Sequence, residues 1–231
     1  MIIHTVQPGE TLEMIAEKYG SSVELLLETN QIINPNTLIT GQSLLILFPK
    51  EIHTVQEGEN LADIAARYGV SVMDLYRNNL KLFEREYIYP GENLVISFSE
   101  EKIMEISTNG YVFPFIEPNI LRSTLPYLTY LTIFYYKITI EGGLIDIDDQ
   151  ELINTARSYG VAPVMQISTL TQARTTDVAT TINILANPQA QESLINNVLN
   201  IMRTKGYYAL NIDMQNIQPS QRQLFVNFIA N

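Results

Sequence analysis

The sequence predicts a multidomain chain of mixed class: two small α+β modules of order β-α-α-β, followed by an α/β domain of about four βα units. Three observations lead there. Residues His4–Asn30 and His53–Asn79 align without a gap at a spacing of 49, and 15 of 27 positions are identical. After Glu101, apolar runs alternate with helical stretches. Near the end, Asn211, Asp213 and Gln215 alternate with Leu210, Ile212 and Met214 in a strand-like segment.

The repeat sets the first hundred residues. A short strand (Ile3–Val6; Ile52–Val55) leads into a glycine turn at Gly9 or Gly58. Thr11 or Asn60 then caps a helix. Leu12, Ile15, Ala16 and Tyr19, matched by Leu61, Ile64, Ala65 and Tyr68, fall on one helical face. Gly20 and Gly69 supply left-handed caps. Ser22 and Ser71 cap a second helix reaching Leu26 or Leu75, and a loop precedes a closing strand, Ser43–Leu47 or Asn93–Ser97.

The later elements follow in order. Strands are expected at Met104–Phe113, Tyr130–Tyr136, Ala162–Ile167 and Tyr208–Met214. Between them come a helix over Pro118–Leu125, one capped by Asp149 and running through Ser158, and a long one over Pro188–Lys205 with Leu194, Val198 and Ile201 on one face. Ser220 is expected to cap a last helix with Leu224, Phe225 and Phe228 inward. A closed barrel of eight such units needs ~250 residues, so about 130 residues make half a barrel or a small open sheet. The boundaries expected are 1–50, 51–100 and 101–231.

Composition narrows the partners. Of 231 residues 46% are hydrophobic and 17% charged, and the net charge is −11. That argues against nucleic acid and anionic membrane surfaces, which reward clustered Lys and Arg. No run approaches ~20 apolar residues, and Met1-Ile2-Ile3-His4 lacks the features of a secretory signal. With no cysteine there is no disulfide framework. His4 and His53 read as strand residues rather than a metal pair, and Asp146-Ile147-Asp148-Asp149 as a solvated loop with a helix cap rather than a calcium site. No metal or cofactor is expected.

The string H-T-V-x-x-G-E-x-L-x-x-I-A-x-x-Y-G-x-S-V-x-x-L-x-x-x-N, with Gly-Gln-Ser-Leu at Gly41–Leu44, resembles a LysM domain, and it occurs twice. The resemblance implies a shallow groove for the N-acetyl groups of chitin or peptidoglycan, between the first turn and the second loop. By position it would use Gly9, Glu10, Thr11 and Leu12 with Ile33, Asn34 and Pro35, and Gly58, Glu59, Asn60 and Leu61 with Ile88, Tyr89 and Pro90. The same glycines and leucines also read as turn and core. Where the family often has Asp-Thr after the turn glycine, this chain has Glu10-Thr11 and Glu59-Asn60. Two linked sites raise avidity by up to ~10²–10⁴ when both reach one strand.

Ala209–Asn216 resembles the active strand of glycoside hydrolase family 18, D-x-x-D-x-D-x-E. Asn109–Tyr111, Leu128–Leu131, Gly142–Leu144, Asn211–Asp213, Pro219 and Arg222 fit its spore cortex-lytic, germination-type members, which carry LysM repeats in front. The likeness implies a partial TIM-barrel-like domain that handles N-acetylglucosamine by substrate-assisted chemistry. An aspartate there orients the acetamide and a glutamate protonates the leaving oxygen. Here Asp213 is kept, Asn211 replaces an aspartate, and Gln215 stands at the acid position. Loss of activity, a deliberate substitution and a purely structural polar row all fit. Two functions follow: a non-catalytic glycan-binding protein of the cell wall or spore envelope, delivered from the mother cell, or an inactivated or truncated N-acetylglucosaminidase. An uncovered half-barrel face also implies self-association through 101–231.

Overall fold

The computed structural model describes residues 1–85, 87–99, 104–171 and 175–230. They form two compact units, Met1–Glu105 and Ile106–Asn231. The boundary expected at 100/101 lies outside the described residues.

The first unit holds the repeats. One consists of β1 (Ile2–Thr5), α1 (Leu12–Tyr19), α2 (Val23–Thr29) and β2 (Ser43–Ile46); the other of β3 (Pro49–Thr54), α3 (Leu61–Tyr68), α4 (Val72–Asn78) and β4 (Asn93–Phe98). In each, the outer strands pair antiparallel, with His4 opposite Leu44 and His53 opposite Leu94. The caps form as expected: Thr11 Oγ1 accepts from Met14 N at 3.3 Å, Ser22 Oγ from Leu25 N at 3.1 Å, Asn60 Oδ1 from Asp63 N at 2.9 Å and Ser71 Oγ from Asp74 N at 3.0 Å. Gly20 and Gly69 end their helices at φ +63° and +67°. Leu12, Ile15, Leu26, Leu44 and Ile46 fill one core; Ile64, Leu75, Leu82, Leu94 and Ile96 fill the other. The second repeat adds a 3₁₀ segment, Leu80–Glu84. From it Lys81 Nζ reaches Glu24 at 3.3 Å and Glu28 at 3.5 Å in the first repeat, and Glu92 at 3.6 Å in its own.

The second unit holds β5 (Asn109–Val112), α5 (Pro118–Thr124), β6 (Tyr130–Ile138), β7 (Leu144–Ile145), α6 (Gln150–Ser158), β8 (Ala162–Ser168), α7 (Val178–Ala186), α8 (Pro188–Lys205), β9 (Ala209–Asp213) and α9 (Arg222–Ala230). Strands β5-β6-β8-β9 run parallel in that order, and β7 pairs antiparallel with the end of β6. Each of the four parallel strands is followed by at least one helix, so the α/β class holds.

Several expectations are corrected. The strand expected from Met104 begins at Asn109, where the ladder to β6 starts opposite Tyr130; Met104 and Ile106 before it stand exposed. Helix α7 and strand β7 were not expected. Helix α7 separates from α8 because Asn187 leaves helical geometry and caps α8 through Oδ1 to Gln189 N at 3.0 Å. Ser220 lies inside a 3₁₀ turn, Pro219–Gln221, entered at Gln218, and Leu224 is 38% exposed while Phe228 is buried. Asp149 begins α6 without a side-chain cap, and it is buried rather than solvated. Its carboxylate turns inward to Tyr136, Tyr207 and Lys205. Gly142, at φ +82°, lies under α8, where any Cβ would strike the carbonyl of Ala190 and come within 2.9 Å of Leu194 N.

Candidate functional site

In each repeat the turn after the first strand is built around a glycine at φ +83°, Gly9 or Gly58. Behind it lies a brace that the sequence reading missed. His4 Nε2 meets Glu10 Oε2 at 2.8 Å and its Nδ1 meets Tyr19 Oη at 3.1 Å. His53 repeats this with Glu59 at 2.6 Å and Tyr68 at 3.1 Å. The same carboxylates accept the backbone N–H of Gln7 and Gln56, each at 2.8 Å. Their second oxygens face Lys18 at 3.5 Å and Arg67 at 2.6 Å. Glu10 and Glu59 therefore spend both oxygens inside the repeat. The backbone N–H of Gln7 and the partner His4 hold the Glu10 carboxyl below its ordinary range. For Glu59, the Gln56 N–H, then His53 and Arg67, bring it down to about 2.

A stability consequence follows. A carboxylate whose pKa is depressed by folding contributes stability that is complete above the ordinary value of 4.5 and lost as pH falls through about 2. We expect the melting temperature of Glu59→Gln to lie below that of the wild type at pH 7. The two should converge as pH drops from 4.5 toward 2. A gap that is constant with pH would contradict the assignment.

The remaining residues expected at the grooves divide by exposure. Thr11, Asn60, Ile33, Asn34, Pro35, Tyr89 and Pro90 face solvent. Leu12 is fully buried and belongs to the core, while Leu61 and Ile88 are half-buried against theirs. The two loops are also out of step with the paired assignment. Gly41 N and Gly91 N donate to Val6 O and Val55 O at 2.8 Å, so these glycines are equivalent. Counting back, Ile88, Tyr89 and Pro90 correspond to Leu38, Ile39 and Thr40. Ile33–Pro35 sit earlier in their loop.

On the second unit, strand alternation puts Leu210, Ile212 and Met214 into the core and turns Asn211 and Asp213 to the opposite face. Asp213 Oδ2 accepts from Gln166 Nε2 and Ser168 Oγ, both at 3.3 Å. These neighbours come from β8, where Ser168 lies beside Asp213 in register. Gln215, just beyond the strand, donates Nε2 to Asp213 Oδ1 at 3.2 Å. Asn211 Nδ2 donates to Tyr111 Oη at 3.1 Å. Gln166 Oε1 is buried with no partner among the described residues. Asn216 follows at φ +58° and donates to Thr176 Oγ1 at 3.0 Å. Of the three residues expected at this site, Gln215 meets Asp213, while Asn211 lies on the same strand face and bonds to Tyr111 instead. An amide at Gln215 donates a hydrogen bond but carries no transferable proton.

An aromatic stack adjoins this face and was also missed. Phe113 lies 4.8 Å from Phe134 at 14° and 5.2 Å from Phe115 at 13°, and Tyr111 packs on Phe134 at 5.4 Å. Alternation of Tyr111 and Phe113 along one strand is the signal that points to it. Among the described residues no helix is long and apolar enough to cross a membrane.

Comparison with known proteins agrees with this division. The LysM domain model matches residues 4–47 and 53–97. The cortical fragment-lytic enzyme of Bacillus subtilis is 30% identical over 235 residues, covering 99% of this chain and 54% of the relative. The crystal structure of the Bacillus cereus spore cortex-lytic enzyme SleL superposes with a TM-score of 0.70 at 24% identity, over 99% of this chain and 54% of that one. SleL from Bacillus megaterium gives 0.72 at 23%, over 98% and 54%. The chain spans about half the length of the curated relatives it matches. This chain carries two LysM domains followed by an α/β domain, and over 99% of its length it is similar to the cortical fragment-lytic enzyme of Bacillus subtilis.

Proposed function

We propose that this protein binds N-acetylglucosamine-containing polysaccharide, the peptidoglycan of spore cortex or cell wall or a chitin-type polymer, through repeats 1–50 and 51–100. Residues 101–231 add a glycoside hydrolase family 18-like domain that does not cut glycan as it stands. The two LysM matches carry the binding reading. Exposed Thr11, Asn60, Ile33, Asn34, Pro35, Tyr89 and Pro90, with the backbone of Gly9 and Gly58, form the contact surface. Glu10 and Glu59 act behind it. Gln215 supports the absence of cutting: the group 3.2 Å from Asp213 is an amide, and general acid catalysis is worth ~10²–10⁴-fold.

Titration with short oligomers of N-acetylglucosamine tests this. Saturable binding is expected, with chemical-shift changes at Gly9–Thr11 and Gly58–Asn60, and glucose oligomers without acetamido groups should not bind. Absence of saturable binding would remove the reading.

A second reading, an inactivated N-acetylglucosaminidase, draws support from Asp213, whose carboxylate is oriented by three side-chain donors. Release of reducing ends by Gln215→Glu would favour it, and no release would discard it. We also propose self-association of a second copy along β9. All five residues of β9 are partly exposed, and Leu199, Val226 and Ile229 lie exposed on the adjoining helices. A strictly monomeric mass in light scattering at high concentration would exclude that contact.

A further inference from the structure

The two repeats have matching cores but differ in the loop before the closing strand. Gly41 and Gly91 adopt φ +88° and +85°. The residue after each, Gln42 or Glu92, donates its N–H to Ile39 O at 2.9 Å or Tyr89 O at 3.1 Å. Its side chain accepts the N–H of Ile39 at 3.1 Å or of Tyr89 at 3.2 Å. Ile39 and Tyr89 therefore fill one structural slot. Two residues earlier, Thr37 matches Tyr87, and the residues between, Leu38 and Ile88, both pack on their cores. The second repeat thus presents two exposed tyrosines, Tyr87 and Tyr89, where the first presents threonine and isoleucine.

Tyr89 is also held. The Arg85 guanidinium lies 5.1 Å from its ring centroid and pairs with Glu92, the carboxylate that accepts the Tyr89 N–H. The first repeat lacks both parts: residues 30–42 contain no Lys or Arg, and Gln42 replaces the glutamate.

We propose that the second repeat is the stacking member of the pair. Tyr89, positioned by Arg85 and Glu92, packs against the C–H face of a pyranose ring of an N-acetylhexosamine polymer, and the first repeat adds a weaker, aliphatic contact through Ile39. This rests on the glycan-binding function proposed above. The chemistry fits: an aromatic face is electron-rich and favours C–H edges. Tyrosine loses little rotamer entropy on binding. A cation on one side of the ring orients it in advance. Arg85 is a positioning residue.

The test uses the full chain and a hexamer of N-acetylglucosamine followed by calorimetry. Tyr89→Ala should weaken binding roughly three- to tenfold, and Ile39→Ala by less than about twofold. Tyr89→Phe should keep most of the affinity, whereas Tyr89→Leu should not, with melting temperatures unchanged. Ile39→Tyr should gain affinity. Equal losses from Tyr89→Ala and Ile39→Ala, or none from either while the wild type binds, would overturn the inference and leave glycan binding intact. Failure of the wild type to bind would instead overturn the underlying function.

Discussion

Asp149→Ala is expected to destabilise the second unit by about 3–5 kcal/mol. Asp149 is 1% exposed. Its carboxylate accepts from Tyr136 Oη at 2.5 Å, from Tyr207 Oη, and from Lys205 Nζ at 2.8 Å. Lys205 also reaches Asp146 Oδ1 at 2.6 Å and the carbonyl of Ile147 at 2.8 Å. The cluster ties β6, the start of α6, the end of α8 and the entry to β9 together. Removing the carboxylate leaves two hydroxyls and an ammonium short of a partner, and that penalty exceeds the net worth of the pair. Burial alone would lower the Lys205 pKa, but Asp146 and Asp149 outweigh it and raise it above 10.5. A raised basic group contributes stability below its unfolded value, so the contribution is complete up to about pH 10. Urea unfolding with hydrogen exchange over residues 106–230 measures the loss. A change below about 1 kcal/mol would mark the cluster as no stronger than a surface pair.

Asn79→Ala is expected to cost the second repeat about 2–4 kcal/mol. Asn79 is 2% exposed. It donates Nδ2 to Leu75 O and Val95 O, both at 2.9 Å, and accepts from Val95 N at 2.7 Å. It thereby joins the end of α4 to β4 and satisfies backbone groups that alanine would leave unpaired. Asn30 makes the same three bonds to Leu26 and Leu45 but is only half-buried, so Asn30→Ala should cost less. The comparison within one molecule, by thermal melting, checks the argument. Equal losses would mean that burial is not what sets them.

The contrast between what could and could not be read from the sequence follows from range. Caps, glycine turns and helical faces are local, so Thr11, Ser22, Gly20 and the Leu12–Ile15–Ala16 face were legible. The alternation of Asn211 and Asp213 with Leu210 and Ile212 is equally local, and it separated the core face of β9 from its polar face. Contacts made across the fold were not. The motif letters His4, Glu10 and Tyr19 were visible without their brace, and Asn30 and Asn79 without their strand clamp. Asp149 looked like a helix cap because a cap is the local use of aspartate. The distant Lys205 and Tyr207 drew it into the core instead. Met104 and Ile106 read as strand, yet the ladder to β6 starts only at Asn109 opposite Tyr130, and strand formation depends on such pairing more than on residue type.

Co-sedimentation of the whole chain with insoluble peptidoglycan, with the supernatant assayed for new reducing ends, tests the central claim most directly. The account predicts that the protein pellets with the polymer, is displaced by N-acetylglucosamine oligomers, and releases no sugar ends. Protein that stays in the supernatant with both peptidoglycan and chitin would contradict it, because the LysM repeats would then be scaffold rather than binding sites.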